Sequence, residues 1–598
     1  MKKLIEKTIR PIPFIAVSFM IALATLLVGL NDLTLGKTLV SGFSYYIILI
    51  MTGFWVFATL PFFKQSLKGK WKALTISLLM TIVVFVSIPP KYRVLSDETN
   101  LLSVSQSMTF RRDISNVTQA KFYYGNLNII QGDLPTRPLL FPFLTSIVHT
   151  VSGYRYQNVF ALNFIILFAL LSMTFLTVEA SLGTLSAIAA SMLLLSIPTL
   201  TLSASSGGFD LCSLFFLGLS LVCLYRFLKA QTNENFGILL INLIMLSQIR
   251  YESIAYVAII MGTLLVMKKI KFEMITKNAF LIAAAPFFII PMLLQRKLTP
   301  NTFENPPGVP PFSFDHLVKH AGDLFNGMVH FQADYPYPSY LNFLAIAMLV
   351  FILVVATPKL KQHLDQTQKT FAGLILALVA ISLAIVLSHH FGLFPHPTQA
   401  RLFLVFLSFL ALMPVAFRYF FPTLLTERKL FTIAVVSFSL YHPVATQGRF
   451  TNALTIIRET EDLYAFLDQV NDQKILIIVD RPGQYTVANT GAVGFGFANA
   501  NKDGIISDLN RGLYNSIYVF QKFSYETGKP LPDQALDPKF VLEPVKELQI
   551  TASDFIRISK VVRPFYPVQP EKPKAASVAL PELNKEMSKI IEGIKFKE

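Results

Sequence analysis

The chain has 598 residues, of which 53% are hydrophobic and only 15% charged, with 53 phenylalanines and a mean hydropathy of +0.53. Its net charge of +16 resides in short loops between apolar runs and not on a soluble face, which excludes a nucleic-acid footprint. The two cysteines, Cys212 and Cys223, fall in one predicted helix roughly 16 Å apart, which excludes a disulfide between them and any Cys-based metal site.

Apolar runs of bilayer length recur to about residue 445, and the chain reads as an α-helical polytopic membrane protein. The basic start "MKKLIEKTIRP" is followed by "FIAVSFMIALATLLVGLND" without a small-residue cleavage site, which predicts a retained first span. Thirteen transmembrane helices are predicted, at roughly 12–30, 40–62, 73–90, 155–178, 184–203, 209–228, 236–249, 253–267, 278–294, 339–356, 370–388, 402–419 and 430–445. The stretch 236–267 also fits one broken helix pair. Basic loops such as "KQSLKGKWK" and "KKIKFEMITK" mark the cytoplasmic side. On this topology the cytoplasmic segments hold 20 Lys/Arg and 6 Asp/Glu, whereas residues 446–598 hold 19 of each. The positive charge is thus a topology signal, and it places alternate loops outside.

Two external loops, 91–154 and 295–338, are long enough to suggest function. In the first, "LLSVSQSMTF" and "LLFPFLTSIVHTV" are too short to span and suit interfacial helices. The second is proline-rich and then helical in pattern from Asp315 to Val329. Past the last span, "RETEDLYAFLDQV", "KILIIVD", "DGIISDLNRGL" and "SIYVFQKF" alternate helix and strand. The predicted organisation is a membrane domain over 1–445, a small C-terminal α/β extracytoplasmic domain over 446–566, and a linker with a terminal helix over 567–598. The glycines of "GAVGFGF" lack dinucleotide-binding spacing and read as a turn region. No internal repeat is visible.

The informative charges fall at external helix ends: Asp97 and Glu98 in "VLSDETNLL", Arg137 in "LPTRPLL", Asp210 in "GGFDLCS", Arg250 and Glu252 in "QIRYES", and Arg401 in "TQARLFL". Ionisable groups at membrane depth are costly unless paired or functional. Each also has an ordinary explanation. Asp97 and Asp210 fit helix caps, Arg250 and Glu252 a local ion pair, and Arg137 and Arg401 cations snorkelling to headgroups. His316 and His320 have the i, i+4 spacing of metal ligands without a third partner, and His389, His390 and His396 form an external cluster.

Taken in order, "SDETNLLSVSQSM", "TRPLLFPFLTSIVHTVSGYRYQNVFALNF", "GGFDLCSLFFLGLSL" and "TQARLFLVFLSFLALMP" resemble the GT-C superfamily of lipid-linked-sugar glycosyltransferases, which includes the protein O-mannosyltransferases and the aminoarabinose transferases of lipid A. The resemblance covers roughly residues 73–420. It departs from the family in having Arg137-Pro138-Leu139 where Lys-Pro-Pro-Leu is common, Leu402 after Arg401 in place of Tyr, and two additional spans at the start.

The resemblance implies a GT-C-like fold and transfer from a polyprenyl-phosphate-linked sugar to an acceptor hydroxyl on a glycan, lipid or protein, with no cofactor or metal. It implies Asp97 as the base, Glu98 as its support, Asp210 as a second acid near the reacting centre, and Arg137 at the phosphate. Arg401 fits a similar role by position, with Arg250, Glu252 and His396 as further substrate-binding candidates. The resemblance also implies a bacterial inner-membrane location, in which the basic loops place the N-terminus in the cytoplasm. The rival readings are a transporter or flippase for a lipid-linked glycan, a glycan polymerase or ligase, and a non-enzymatic assembly scaffold. A transporter more often carries charges near the bilayer midplane in repeated halves.

Overall fold

The computed structural model describes residues 11–123, 126–299, 308–331, 338–356, 364–396, 398–447, 455–472 and 474–562. The linker and helix expected at 567–598, the first ten residues and the proline-rich start of the second long loop lie outside the described residues.

The chain opens with a helical hairpin, α1 (Pro11–Asn31) and α2 (Leu33–Leu67), followed by α3 (Trp71–Ser87). Asp32 accepts from the backbone N–H groups of Thr34 and Leu35 at 3.0 Å each and caps α2. Gly36 is obligatory at this turn, because a Cβ there would stand 2.3 Å from the Gly29 carbonyl oxygen. At 35 residues α2 is about 52 Å long, well beyond a hydrocarbon core of about 30 Å.

The first long loop carries α4 (Leu95–Phe110), the antiparallel hairpin β1 (Asn116–Tyr123) and β2 (Asn126–Asp133), and α5 (Leu140–Ser152). Both helices expected there are present. However, α4 is buried along almost its whole length, so it does not lie on a membrane surface. It has no polar face to expose because its serines turn inward: Ser103 Oγ accepts from Val117 N at 2.7 Å and Ser105 Oγ donates to the Leu102 carbonyl at 2.7 Å.

The helical body continues through α6 (Asn158–Leu182), α7 (Thr184–Leu195), α8 (Pro198–Ala204), α9 (Asp210–Lys229), α10 (Asn233–Ser247), α11 (Ser253–Val266), α12 (Phe272–Lys277) and α13 (Ala279–Leu298). After the second long loop, which contains α14 (Phe314–Met328), come α15 (Ser339–Val350), α16 (Gln366–Ser388), α17 (Leu404–Phe420) and α18 (Glu427–Thr446). A π-helical turn, Phe351–Ala356, extends α15, and a tight turn, Ala400–Phe403, leads into α17.

Every span expected from the sequence coincides with a helix. By length and composition, however, only seven described helices can cross a membrane, or eight if α7 and α8, bent by 83° at Pro198, make one span. Helices α3, α10, α11 and α15 are apolar but shorter.

The C-terminal segment folds as α19 (Thr455–Val470), β3 (Ile475–Ile478), α20 (Gly483–Thr486), β4 (Gly491–Val493), α21 (Phe495–Ala500), α22 (Lys502–Asn510), β5 (Ser516–Ser524), β6 (Leu542–Gln549) and β7 (Asp554–Val561). The "GAVGFGF" stretch is therefore a buried strand followed by a short helix, and not a turn. The sheet has seven strands in the order β2-β1-β4-β3-β5-β7-β6, with β3 parallel to β4 and β5 and the other pairs antiparallel. Its β1–β2 edge comes from the first long loop, so the C-terminal sheet is completed by the segment that also carries α4. Gln119 of β1 accepts from Gly494 N at 3.0 Å across this junction.

Candidate active site

Five segments end at one level of the helical body and converge on the start of α4. A buried asparagine, Asn163 of α6, donates to the carbonyls of Ser206 at 2.7 Å and Gly208 at 2.9 Å. This fixes the turn that leads into α9 and so sets Asp210. Gly207 is needed in that turn: a Cβ would come within 3.3–3.4 Å of Val159, Glu98 and Tyr92 side chains. Arg137 is held through its backbone, since Gln295 at the end of α13 donates to the Pro135 carbonyl at 2.7 Å and the Arg137 carbonyl at 2.6 Å. Arg250 sits in the break between α10 and α11, over the ring of Phe209 at 5.1 Å. Arg401, in the turn before α17, donates its Nε to the Thr398 carbonyl at 2.9 Å.

These placements produce an ionic ladder. Arg137 Nη2 and Nε reach Asp97 Oδ1 at 2.7 and 3.2 Å. Arg401 bonds Asp97 Oδ2 with one terminal nitrogen and Asp210 Oδ2, at 3.0 Å, with the other. Arg250 bonds Asp210 Oδ1 and lies 2.5 Å from Glu252 Oε1. The order is Arg137–Asp97–Arg401–Asp210–Arg250–Glu252, drawn from α4, the loop before α5, the starts of α9 and α17, and the α10–α11 break. Asp97 and Asp210 lie in the first turns of their helices but make no side-chain capping bond; their oxygens face arginines. Arg137 and Arg401 point to carboxylates and not to headgroups.

Glu98 stands apart from the ladder. Its Oε2 accepts the Arg93 backbone N–H at 2.8 Å, and it lines a cavity of about 40 Å³ together with Arg93, Thr199, Ser203, Ser206, Asp210, Thr398 and Arg401. That volume holds about three waters. Burial pushes the Glu98 carboxyl up to about 7 against the opposing hydrogen bonds from the Arg93 and Val94 backbone. For Asp97 burial acts in the same direction, but the Arg401 and Arg137 guanidiniums outweigh it and hold the carboxyl well below the usual range.

Of the eight residues expected in the site, six form the ladder and Glu98 adjoins it. His396 does not join it; it is exposed and its Nδ1 meets Thr398 Oγ1 at 2.9 Å. His316 and His320 stack with ring centroids 5.6 Å apart and bond to the Pro310 and Leu387 carbonyls. Among the described residues no cluster of His, Cys, Asp or Glu could hold a metal ion.

Arg93 was not expected. Its Nε donates to the Leu202 carbonyl at 3.2 Å and its Nη2 to Ser205 Oγ at 2.9 Å, and burial lowers its guanidinium to about 10 despite Glu98 and Glu461 nearby. The available signals were a third cation in "KYRVLSDE" and the hydroxyl-rich run "TLTLSASS" within an apolar segment. Chemically, the site offers anchored cations for a phosphate, carboxylates at the cavity wall, and hydroxyls suited to a polyol.

No protein-family model matches this chain, and no curated protein sequence matches it. Among solved structures, the chain is similar to crystal structures of ArnT from Cupriavidus metallidurans. The form bound to undecaprenyl phosphate is 12% identical with a TM-score of 0.41, over 81% of this chain and 97% of the ArnT chain. The apo form is also 12% identical with a TM-score of 0.41, over 83% and 99%.

Proposed function

We propose that this chain is an integral membrane glycosyltransferase that moves a sugar from a polyprenyl-phosphate-linked donor to an acceptor hydroxyl at the extracytoplasmic face. The observation that carries the reading is the convergence of three arginines and three carboxylates from separate helix ends beside a hydroxyl-lined cavity. Helix ends brought together at this cost in desolvation are expected where charge must be handled. In this reading Arg137 and Arg401 receive the phosphate, whose charge grows as the sugar leaves. Arg250 sits behind them through Asp210, and Glu252 holds Arg250. The acidic pair Asp97–Glu98 takes the proton of the attacking hydroxyl. The positive charge comes from guanidiniums, so no metal or cofactor is invoked. His396, next to cavity-lining Thr398, would meet the substrate at the mouth of the site.

The basic loops support an N-terminus in the cytoplasm and the C-terminal sheet outside, and the family resemblance supports a bacterial inner membrane. A donor with its tail in the bilayer and its sugar outside would meet the site at the depth where the ladder lies.

The test is full-length protein in proteoliposomes with a panel of radiolabelled polyprenyl-phosphate sugars and envelope glycan, lipid and protein fractions as acceptors. Release of polyprenyl phosphate with label on an acceptor is expected, and Arg137→Ala should weaken donor use. Movement of intact labelled lipid across the bilayer without cleavage would instead establish a flippase.

A further inference from the structure

The two adjacent carboxylates meet different surroundings. Both oxygens of Asp97 are taken by arginines, and Asp97 is not among the residues lining the cavity. Glu98 is only 1% exposed, yet it lines that cavity. Its Oε2 is fixed by the Arg93 N–H. Oε1 and Asp210 Oδ2 flank the open side of Gly208, where a Cβ would stand 3.8 Å from the first and 3.3 Å from the second. The absence of a side chain at Gly208 keeps the space between the two carboxylates open.

Resting on the glycosyltransferase reading, we propose that Glu98 is the general base, and that Asp97 is a positioning residue which holds Arg137 and Arg401 where the donor phosphate arrives. The acceptor oxygen forms a bond to the anomeric carbon while its proton passes to Glu98 Oε1. The bond from that carbon to the phosphate oxygen breaks, and its electron pair stays on the departing polyprenyl phosphate. Arg137 and Arg401 meet the second negative charge that appears there, and Glu98 then returns its proton to water. A carboxylate clamped by two guanidiniums is a weak proton acceptor, whereas one buried beside a cavity is matched to neutral pH, the direction burial gives Glu98. The role that the family resemblance gives to Asp97 thus passes to its neighbour.

The experiment uses full-length protein in proteoliposomes with whichever labelled polyprenyl-phosphate sugar the wild type turns over, and follows release of polyprenyl phosphate. Glu98→Gln preserves an oxygen for the Arg93 N–H, so the loop should hold. It should lower kcat by about 10²–10⁴-fold, leave the donor KM nearly unchanged and abolish the acidic limb of the kcat/KM profile near pH 7. Asp97→Asn should raise the donor KM and retain that limb. Gly208→Ala, which fills the space in front of Oε1, should lower kcat without changing the donor KM. A Glu98→Gln enzyme with wild-type kcat and an intact acidic limb, or a Gly208→Ala enzyme with full kcat, overturns the assignment of Glu98 alone. Failure of the wild type to cleave any lipid-linked sugar overturns the glycosyltransferase reading and the base with it.

Discussion

Arg137 places two nitrogens on a single oxygen of Asp97, at 2.7 and 3.2 Å. The other Asp97 oxygen belongs to Arg401, which continues to Asp210. One aspartate thus joins a loop cation to the start of α17, and one arginine joins two helices that begin with acidic residues. The whole ladder depends on the planar, multiply donating guanidinium.

Arg401 is the member whose loss costs most, because it serves two buried carboxylates. Arg401→Ala leaves Asp97 and Asp210 each short of a cation and should destabilise the protein by about 3–5 kcal/mol. Arg401→Lys retains the charge but offers a point donor that cannot span both partners, and should fall between the alanine variant and wild type. Thermal melts in detergent should order the three proteins in that way, and both variants should lose donor turnover.

Glu98 gives a pH dependence of stability with a definite sign. Its carboxyl titrates near 4.5 when unfolded and near 7 when folded, so its contribution is fully present below about pH 4.5 and is lost as pH rises through 7. The difference amounts to about 3 kcal/mol. Asp97 acts oppositely, contributing above the unfolded aspartate value and losing its contribution as pH falls. Glu98→Gln, which never ionises, should therefore melt near wild type at pH 5 and above it at pH 8. A variant more stable but less active at pH 8 is the expected signature of a group kept for chemistry.

Apolar runs made the helical body legible, and helix-end charges made the candidate residues legible, because both are local properties. The pairing of those charges was not legible. Nothing near Arg250 in sequence indicates that it reaches Asp210, 40 residues away, or that Arg401 spans two acids. Arg93 was missed because a cation beside a span end reads as interfacial. The hairpin β1–β2 was missed because "NVTQAKFY" and "NLNIIQGD" are short and polar, and β1 finds its other neighbour, β4, about 370 residues later. The burial of α4 was hidden in part for the same reason: α5 and β1 of its own loop cover it, but α20 of the distant C-terminal segment completes the cover.

His149 of α5 offers a second titration of opposite sign. Asn158 Nδ2 donates to its Nδ1 at 2.9 Å, so the ring proton sits on Nε2, facing Ser105 Oγ of α4 at 3.2 Å. Burial lowers this histidine to about 4 from 6.5. Its contribution is present above pH 6.5 and is lost as pH falls towards 4. In His149→Gln the melting temperature should fall less between pH 6.5 and 4.5 than in wild type. Histidine NMR shifts should show the His149 ring neutral throughout pH 5–8.

The C-terminal segment is tied, through α20 and the turn after it, to the helix that carries the acidic pair. Gln106 of α4 donates to the Thr486 carbonyl at 3.0 Å and to Asn489 Oδ1 at 3.2 Å, and Tyr154 donates its hydroxyl to the Val487 carbonyl at 2.7 Å. Gln106→Leu fits the same space but strands those acceptors, a loss of about 1–3 kcal/mol. Because α4 is buried between these partners, the loss should not remain local. Hydrogen exchange should rise together across residues 95–110 and 483–493, and kcat should fall while the β5–β7 strands keep their protection. Faster exchange confined to 483–493 with unchanged kcat would mean that the C-terminal segment merely rests on the helical body and does not position its acidic pair.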